Sequence, residues 1–569
     1  MLREELIRVA RGEVEAELVL KNARVINVFS GDVHVSDVAI ARSLIVGLGE
    51  YRAQREIDLG GRYLAPGFID AHVHIESSML SVPEFGRAVV PRGTTTVIAD
   101  PHEIANVMGL AGVRYILDTS KYNPLSVYVM APSCVPATNL ETAGSSLSAE
   151  DSEPLLADKW VIGLGEMMNY PGVLFCDGEV LAKIRAASGK PIDGHAPGLA
   201  GKDLCAYAVA GVASDHECTT LEEAREKLRM GMHIMIREGS TARNLRDLLP
   251  LVTPENARRC MFVTDDRHPS DLLNEGHIDF LLRQAVAQGL DPITAIQMAT
   301  LNPAEYFRLH DKGAVAPGRR ADLVVLGDLH EMRPEMVFRG GQLVAKEGRV
   351  LPGVVTGVQT PLRGSMNVAP LPADAFRVPA GGSRMRVIGA SQGQIVTEKL
   401  MLAPRVEDGL AVADVERDIL KLAVVERHLA SGRVGLGFVR GFGLRRGAIA
   451  GSVAHDSHNI VALGTNDADM LAAVQEVVRM GGGLTAVVDG KAVESVPLPI
   501  AGLMSSQPLE AVAAQLDRLL AAARDLGATL HDPFMSLSFL ALPVIPALKL
   551  TDKGLVDVTQ FRFVPLFEP

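Results

Sequence analysis

Between residues 66 and 312, short apolar runs that end in polar side chains alternate with segments of helical periodicity. The eight apolar runs read GFIDAHVH, TTTVIADPH, SVYVMAPS, WVIGLGE, PIDGH, GVASDHE, HIMIREG and CMFVTDD. Strand-like runs that alternate with helices are typical of βα units on a parallel sheet. Eight such units over about 250 residues match a closed barrel. The pattern therefore predicts an α/β fold centred on a (β/α)8 barrel of the TIM type over residues 66–312.

The flanks of this segment carry a second pattern, in which β-branched runs are broken by Gly, Asn and Asp at hairpin spacing. It begins near residue 17 and returns after residue 312, so we expect one composite small β-sandwich domain over residues 1–65 and 313–355. After a Pro/Gly-rich connection near 352–383, Gly-rich strands and an amphipathic helix at about 508–526 predict an additional C-terminal α/β domain over residues 370–569.

The carboxyl ends of barrel strands are where the chemistry of such a fold is located. Those positions hold His72, His74, Asp100, His102, Glu166, His195, His216, Arg237, Glu238, Asp265 and Asp266. The period of two in a strand directs His72 and His74 to the same face. One histidine at a strand end is more often structural than functional. Many imidazoles and carboxylates at one rim of the barrel indicate a set of metal ligands rather than structural residues, because such side chains are costly to bury.

Imidazole and carboxylate ligands together suit Zn²⁺, Mn²⁺ or Fe²⁺, and the sequence has no CxxC pair that would indicate a structural zinc site. Two cations would lower the pKa of water bound between them. Asp265 would take the proton of that water and return it to the leaving group. The expected ligands are His72, His74 and Asp265 for one cation, His195 and His216 for the other, and Glu166 as the bridge.

Longer motifs around these residues resemble known families. PGFIDAHVH, the later His195, His216 and Asp265, and GAVAPGRRADLVVL resemble the amidohydrolase superfamily over residues 17–355. HIESSM, ADPHEIANV, DGHAPG, SDHE and VTDDRHP resemble the bacterial adenine deaminase family within it. Glu166, in GLGEMMN, stands where other branches carry a carboxylated lysine. GSVAHDSHNIVALGTND is similar to the additional C-terminal domain of that family.

The resemblance implies metal-dependent hydrolysis of adenine to hypoxanthine and ammonia, a reaction of purine salvage and adenine catabolism. It also implies two divalent cations per chain, Mn²⁺ or Fe²⁺, with Zn²⁺ as the alternative. As C6 is attacked, an acid must protonate N1 of the purine. Glu76 is the first expected acid and Glu103 the second. Asp100 and the catalytic candidate His102 are expected to hold the hydroxide or the purine.

The remaining candidates at the rim are expected to contact substrate or to orient ligands. Arg237 and Glu238 would read the imidazole edge of the purine, and Asp266 and His268 would orient the ligands. Asp265 is preferred to Asp266 as the ligand, because the metal aspartate of the superfamily generally follows Thr or Ser.

His455, Asp456 and His458 form a polar cluster in the C-terminal region. Three interpretations remain open for it: a further metal site, a lid that keeps water out of the barrel, and a polar interdomain loop.

Composition narrows the class of partner. A net charge of −12 argues against a protein that neutralises nucleic-acid phosphates. No signal peptide is evident, and the most apolar late run is interrupted by Pro543 and Pro546 and is shorter than the ~20 residues of a membrane span. Five cysteines without a CxxC pair suit the reducing cytoplasm. The hydrophobic content of 47% and the resemblance lead us to expect a homo-oligomer, a dimer or larger.

Alternative functions share the predicted barrel. Another amidohydrolase is one alternative, such as a cyclic-amide hydrolase or an N-acetyl amino-sugar deacetylase, which also uses a strand-end glutamate. Such an enzyme would be expected to lack the long C-terminal region. A non-catalytic structural relative would be expected to have lost ligands. A cytidine-deaminase-type zinc enzyme would require a PCxxC motif, which the sequence does not contain.

Overall fold

The computed structural model describes residues 2–354, 362, 364–392 and 394–568. A short helix and five strands precede the barrel. They are α1 (Leu2–Ala10), β1 (Leu18–Asn27), β2 (Asp32–Ala41), β3 (Leu44–Leu48), β4 (Glu56–Asp58) and β5 (Tyr63–Pro66).

All eight barrel strands that the apolar runs predict are present. They are β6 (Phe68–Val73), β7 (Thr94–Ala99), β8 (Ser126–Ala131), β9 (Val161–Met167), β10 (Ile192–Gly194), β11 (Ser214–Asp215), β12 (His233–Arg237) and β13 (Cys260–Val263). Parallel pairing joins β6 through β10, and β11 through β13. The Ala213 N–H donates to the Ile192 carbonyl at 3.0 Å between the two sets, and a bridge between Val73 and Asp265 closes the ring.

Helices follow the strands around the ring. They are α2 (Val82–Val89), α3 (His102–Met108), α4 (Leu110–Thr119), α5 (Ala149–Leu156), α6 (Tyr170–Leu174), α7 (Gly178–Ala186), α8 (Gly201–Val209), α9 (Leu221–Arg229), α10 (Leu245–Leu248), α11 (Pro269–Asn274), α12 (Ile278–Ala287), α13 (Pro292–Met298) and α14 (Leu301–Tyr306). Ile98, Met130 and Met235 form one buried cluster, whereas their strand neighbours Val97 and Ile236 pack in another with the helices. This alternation gives the barrel a filled interior beneath its rim.

Four strands after the barrel return to the first segment. They are β14 (Leu323–Leu326), β15 (Pro334–Arg339), β16 (Gln342–Lys346) and β17 (Arg349–Val350). Strand β14 pairs antiparallel with β5, from Leu323 opposite Pro66 to Leu326 opposite Tyr63, so both segments belong to one nine-stranded sheet. The predicted fold class is therefore confirmed, while the exact domain boundaries remain predictions. Within the expected connection at 352–383, residues 355–361 and 363 lie outside the described residues.

The C-terminal region is a second α/β unit. Its strands are β18 (Arg384–Gly389), β19 (Glu398–Leu402), β20 (Arg405–Glu407), β21 (Leu410–Val412), β22 (Ile419–Val425), β23 (Val434–Arg440), β24 (Ala448–Gly451), β25 (Ile460–Gly464), β26 (Gly483–Val488), β27 (Lys491–Pro497), β28 (Leu548–Thr551), β29 (Gly554–Asp557), β30 (Arg562–Phe563) and β31 (Phe567–Glu568). Its helices are α15 (Asp467–Arg479), α16 (Leu509–Asp525) and α17 (Pro533–Ser538). Helix α16 is the amphipathic helix expected at about 508–526. Among the residues described, no helix combines the length and the apolar character needed to cross a bilayer.

The C-terminal unit docks on the loops at the carboxyl ends of the barrel strands. The Ser505 N–H donates to the Met79 carbonyl at 2.8 Å, beside the loop that follows β6. The Thr142 hydroxyl donates to Asp552 Oδ2 at 2.6 Å, and Asn459 Nδ2 donates to the Thr142 carbonyl at 2.8 Å. These contacts place the C-terminal unit over the barrel mouth.

Candidate metal centre

One group of donor atoms lies where β6 and β13 end. His72 Nε2 is 3.1 Å from His74 Nε2, and Asp265 Oδ1 lies 3.5 and 3.2 Å from these two nitrogens. Glu166 Oε1 reaches the same group from the end of β9, at 3.9 Å from His72 Nε2 and 3.3 Å from His74 Nε2. All four side chains are buried.

A second group uses the other oxygen of the same glutamate. Glu166 Oε2 lies 2.5 Å from His195 Nδ1 and 3.2 Å from His216 Nε2. The two oxygens of one carboxylate therefore face two separate pairs of imidazoles. The structure brings together all six residues that the sequence analysis selected as ligands.

The donor atoms fit divalent cations. His74 Nδ1 lies 2.9 Å from the Asp100 carbonyl, which can only accept, so Nδ1 carries the hydrogen and the lone pair is on Nε2. That lone pair lies close to His72 Nε2, Glu166 Oε1 and Asp265 Oδ1. Ligand bonds of about 2.0–2.2 Å place neighbouring donors about 3.0–3.6 Å apart. Four of the five separations in the first group are of this size, as is the 3.2 Å between Glu166 Oε2 and His216 Nε2 in the second, so the residues present suit a cation in each group.

Both carboxylates are held in their charged form. Burial alone would raise the pKa of Glu166, but His195 and His216 hold it well below its usual value. Burial would likewise raise the pKa of Asp265, but Arg237 and the two β6 histidines hold it well below its usual value. Carboxylates in this state are ready to bind a cation.

Asp265 adopts a left-handed backbone conformation, with a φ of 57°. Its N–H donates to the His72 carbonyl at 3.0 Å, and its carbonyl accepts from the His74 N–H at 3.1 Å. Aspartate tolerates this conformation better than most residues. The two bonds fix Asp265 to the HxH segment, whereas Asp266 is turned toward Ser77, whose hydroxyl lies 2.5 Å from Asp266 Oδ1.

Arg237 contacts carboxylates of the site. Its Nη1 donates to Asp265 Oδ2 at 2.8 Å and to Glu217 Oε1, and its Nη2 donates to Glu217 Oε2 at 3.2 Å. Glu217 also lies 3.5 Å from His216 Nε2. Glu217 was not among the residues expected from sequence, although it ends the SDHE motif. Glu238 accepts from the Leu245 N–H at 3.1 Å and does not line the cavity.

Asp100, which follows the second barrel strand β7, binds the backbone of Glu166. Asp100 Oδ2 accepts from the Glu166 N–H at 2.8 Å. His102 is the first residue of α3, and its Nδ1 lies 3.4 Å from Glu166 Oε1 and 3.6 Å from Asp100 Oδ1. His102 borders the cavity and Asp100 does not.

Gly165 is required for this support. A Cβ on Gly165 would lie 2.2 Å from Asp100 Oδ2. We expect Gly165→Ala to destabilise the fold by about 1–3 kcal/mol, because Asp100 would be displaced and its bond to Glu166 lost. Thermal unfolding measures this. Gly178→Ala is the control, since a Cβ on Gly178 meets no atom within 4 Å. Equal unfolding temperatures for the two variants would contradict the expectation.

The two glutamates considered as acids occupy different places. Glu103 borders the cavity, and the Ser77 hydroxyl lies 2.8 Å from its Oε1. Glu76 lies behind this wall, where its Oε1 accepts from the Ile104 N–H at 3.2 Å, and it borders a smaller neighbouring cavity. His268 borders that neighbouring cavity too and lies 3.3 Å from Asp532 Oδ2.

The polar cluster of the C-terminal region reaches the barrel. Asp456 Oδ1 lies 3.8 Å from His102 Nε2, and His455 and Asp456 both border the cavity. His458 Nδ1 accepts from the Ala454 N–H at 3.1 Å, and burial keeps the pKa of His458 well below its usual value. In the neutral ring the hydrogen is therefore on Nε2, which leaves that nitrogen no lone pair for a cation. This state argues against His458 as a ligand of a further metal, and the lid and the polar interdomain loop both remain predictions.

Comparison with known proteins matches both halves of the chain. A family model described as the amidohydrolase family matches residues 63–344, and one described as the adenine deaminase C-terminal domain matches residues 394–562. The chain is 55% identical to an adenine deaminase of Desulfatibacillum aliphaticivorans, over 100% of both chains. It is 53% identical to adenine deaminase 2 of Carboxydothermus hydrogenoformans, over 99% of both. A crystal structure of an adenine deaminase aligns at 20% identity and a TM-score of 0.46, over 58% of this chain and 99% of that one.

Proposed function

Since the chain belongs to the adenine deaminase family of amidohydrolases, we propose that it hydrolyses adenine to hypoxanthine and ammonia. The observation that carries the proposal is the carboxylate of Glu166, whose two oxygens face two pairs of imidazoles at the wall of a cavity. The adjoining C-terminal region matches the domain model of this family and borders the same cavity.

The family and the donor set together imply a divalent metal centre. We propose two cations per chain, Mn²⁺ or Fe²⁺, with Zn²⁺ as the alternative. The cations would supply Lewis acidity, which lowers the pKa of water and gives a nucleophile at neutral pH. The proposed ligands are His72, His74 and Asp265 for one cation, His195 and His216 for the other, and Glu166 for both.

Asp265 is the proposed base. Its Oδ2 is held by Arg237, and its Oδ1 lies among the His72 and His74 nitrogens. The attacking water loses one proton to Asp265 as its oxygen bonds to C6 of the purine. The bond from C6 to the exocyclic nitrogen then breaks, and that nitrogen leaves as ammonia with the returned proton. The remaining hydroxyl proton is lost as the C6 carbonyl forms, and it replaces the proton that the acid gave to N1. Arg237 keeps Asp265 anionic between turnovers.

Glu103 is the proposed acid at N1. Ser77 has one hydroxyl hydrogen and lies within hydrogen-bond distance of both Glu103 and Asp266, so this network is complete when one carboxyl is protonated. Burial, together with the charge of Asp266, raises the pKa of Glu103. A neutral carboxyl at the cavity wall can donate to a ring nitrogen as negative charge builds there.

We expect Glu103→Gln to lower kcat about 10²- to 10⁴-fold with two cations still bound, because the amide cannot transfer a proton. Steady-state kinetics with metal analysis measures this. Glu76→Gln is the matched comparison, since Glu76 lies behind the wall and its pKa is raised by burial to about 7. If Glu76→Gln shows the larger loss of kcat and Glu103→Gln is nearly unchanged, the acid is Glu76.

We propose that the protein is located in the cytoplasm. The five cysteines are free thiols, as expected in the reducing cytoplasm.

We also propose that the protein forms a homo-oligomer. Val209, the last residue of α8, and Phe175, which follows α6, are 88% and 85% exposed, and the two helices pack on each other. Exposed apolar side chains on adjoining helices support a homo-oligomer. Light scattering of the purified protein tests this, and a monomer would contradict it.

The test of the proposed function is direct. Protein supplied with Mn²⁺ is incubated with adenine, and hypoxanthine and ammonia are quantified on the same sample. Formation of both in equal amounts is expected. Absence of both, with hydrolysis of an N-acetyl amino sugar or a cyclic amide, would assign the site to another reaction of this barrel.

A further inference from the structure

We propose that the C-terminal domain forms the apolar wall of the purine site, with Phe539 as the side chain that packs on the ring. This inference rests on the proposed function, because it concerns how adenine is held. The wall consists of Ile395, Phe539, Leu542 and Ile545, all of which border the cavity that contains the metal ligands.

The two domains contribute different chemistry to the cavity. The barrel supplies most of the polar side chains, namely His74, His102, Glu103, Glu166, His195, His216, Glu217, Arg237, Thr241, Asp265 and Asp266, to which the C-terminal domain adds His455 and Asp456. Met168 is the one large apolar side chain that the barrel adds to the described lining. Adenine has a polar edge and two apolar ring faces, so it needs an apolar surface as well as polar partners. That surface comes from the C-terminal domain.

Hydrogen bonds join the two segments of the wall into one unit. The side-chain nitrogen of the buried Lys549 donates to the Ile395 carbonyl at 2.8 Å and to the Phe539 carbonyl at 2.9 Å. The Thr397 hydroxyl donates to the Leu548 carbonyl at 2.8 Å, and the Ala547 N–H donates to the Thr397 carbonyl at 3.1 Å. Ile395 and Phe539 are therefore held at a fixed separation.

The wall is also fixed to the barrel. Leu542 and Ile545 pack in one buried cluster with Met168 and Cys134 of the barrel loops. The Phe539 ring stacks on the His455 ring, with centroids 4.6 Å apart and planes 11° apart. His455 thus sets the plane of Phe539 before a substrate arrives. An aromatic ring with a fixed orientation contributes more to binding affinity than a mobile ring, because it loses less conformational entropy when the substrate binds.

Aromatic stacking depends little on which substituents a ring carries, but it favours flat rings. The polar groups of the barrel occur at the site of reaction and would serve other hydrolyses equally well. The wall gives this chain a preference for a planar purine over the non-planar substrates of related reactions. Phe539 is thus a binding and specificity residue, distinct from the residues that move protons.

The test is a comparison of Phe539→Ala and Phe539→Leu with the wild-type full-length protein, each supplied with Mn²⁺. We expect KM for adenine to rise about 5- to 150-fold in Phe539→Ala, the range for loss of one aromatic–base contact, with kcat within a few-fold of wild type. Phe539→Leu keeps apolar volume and should show a smaller rise in KM. Phe539→Tyr should restore KM, and all variants should bind as much manganese as the wild type.

Phe563→Ala is the control, because Phe563 is 43% exposed on β30 and does not border the cavity. If wild-type protein deaminates adenine but Phe539→Leu and Phe539→Ala keep the wild-type KM, the wall is refuted and the proposed function stands. If Phe539→Ala does not fold, the Leu and Tyr variants decide the question. Wild-type protein that leaves adenine unchanged would overturn the inference together with the function on which it rests.

Discussion

Glu166→Gln is expected to lower the turnover of adenine by about 10³-fold or more and to leave at most one cation per chain. An amide has one carbonyl oxygen, so it cannot present an anionic oxygen to both pairs of imidazoles. Loss of several kcal/mol of charge stabilisation corresponds to a rate loss of this size. The measurement is kcat for adenine together with metal analysis of the same preparation.

Asp193→Asn is the matched control for this variant. Asp193 is a buried carboxyl in the middle of β10 that accepts from the Ser214 and Tyr306 hydroxyls, both at 2.9 Å, and it does not border the cavity. Burial raises the pKa of Asp193 to about 7, so a neutral amide suits its position. We expect this control to keep two cations and near-normal kcat. Two retained cations and full activity in Glu166→Gln would refute the bridge.

The second large effect is expected for Asp265→Asn, which should lose at least about 10³-fold in kcat while remaining folded. The amide removes both a ligand and the proposed base, but it can still bond to Arg237 and the backbone bonds of residue 265 are unchanged. Kinetics, metal content and thermal unfolding of the purified variant test this.

Asp266→Asn separates the roles of the two adjacent aspartates. Asp266 contacts Ser77 in the described structure, so its amide variant should bind two cations and lose far less activity than Asp265→Asn. Preserved turnover in Asp265→Asn, with a large loss in Asp266→Asn, would mean that Asp266 is the ligand.

The expected ligands could be identified from sequence because each lies at the carboxyl end of an apolar run, either in the barrel strand or within two residues of its end. The alternation of side chains in a strand directs polar residues at strand ends to one rim. His72 lies on β6, Glu166 lies on β9 and Asp265 follows β13, so the three are far apart in the sequence, yet barrel closure brings them together. Position along a barrel strand is thus enough to predict proximity.

Periodicity could not predict the orientation of residues in the loops beyond the strands. Glu76 lies three residues after the end of β6, where it begins a 3-10 turn, Glu76–Ser78, that ends at Met79 with a φ of 56°. This turn takes Glu76 behind the cavity wall, while Glu103 on α3 borders the cavity. The conformation of such a turn depends on local backbone contacts that leave no periodic pattern in the sequence.

Contacts between the two domains could not be predicted from the sequence either. Phe539 meets the barrel cavity only through docking of the C-terminal domain, more than two hundred residues along the chain from the last ligand, Asp265. Glu217 was missed for a related reason, because its role depends on Arg237 from the neighbouring strand β12. A contact of this kind between two side chains depends on which strands are neighbours in the fold, and the sequence alone does not give that arrangement.

We propose that two cations bound to one site, bridged by Glu166, support deamination of adenine. A titration of metal-free protein with Mn²⁺ tests this proposal, with adenine turnover and bound manganese determined at each addition. Turnover should rise until two manganese ions are bound per chain and then level off, with hypoxanthine and ammonia formed in equal amounts. Turnover that levels off at one ion, or that is complete without metal, would contradict the account.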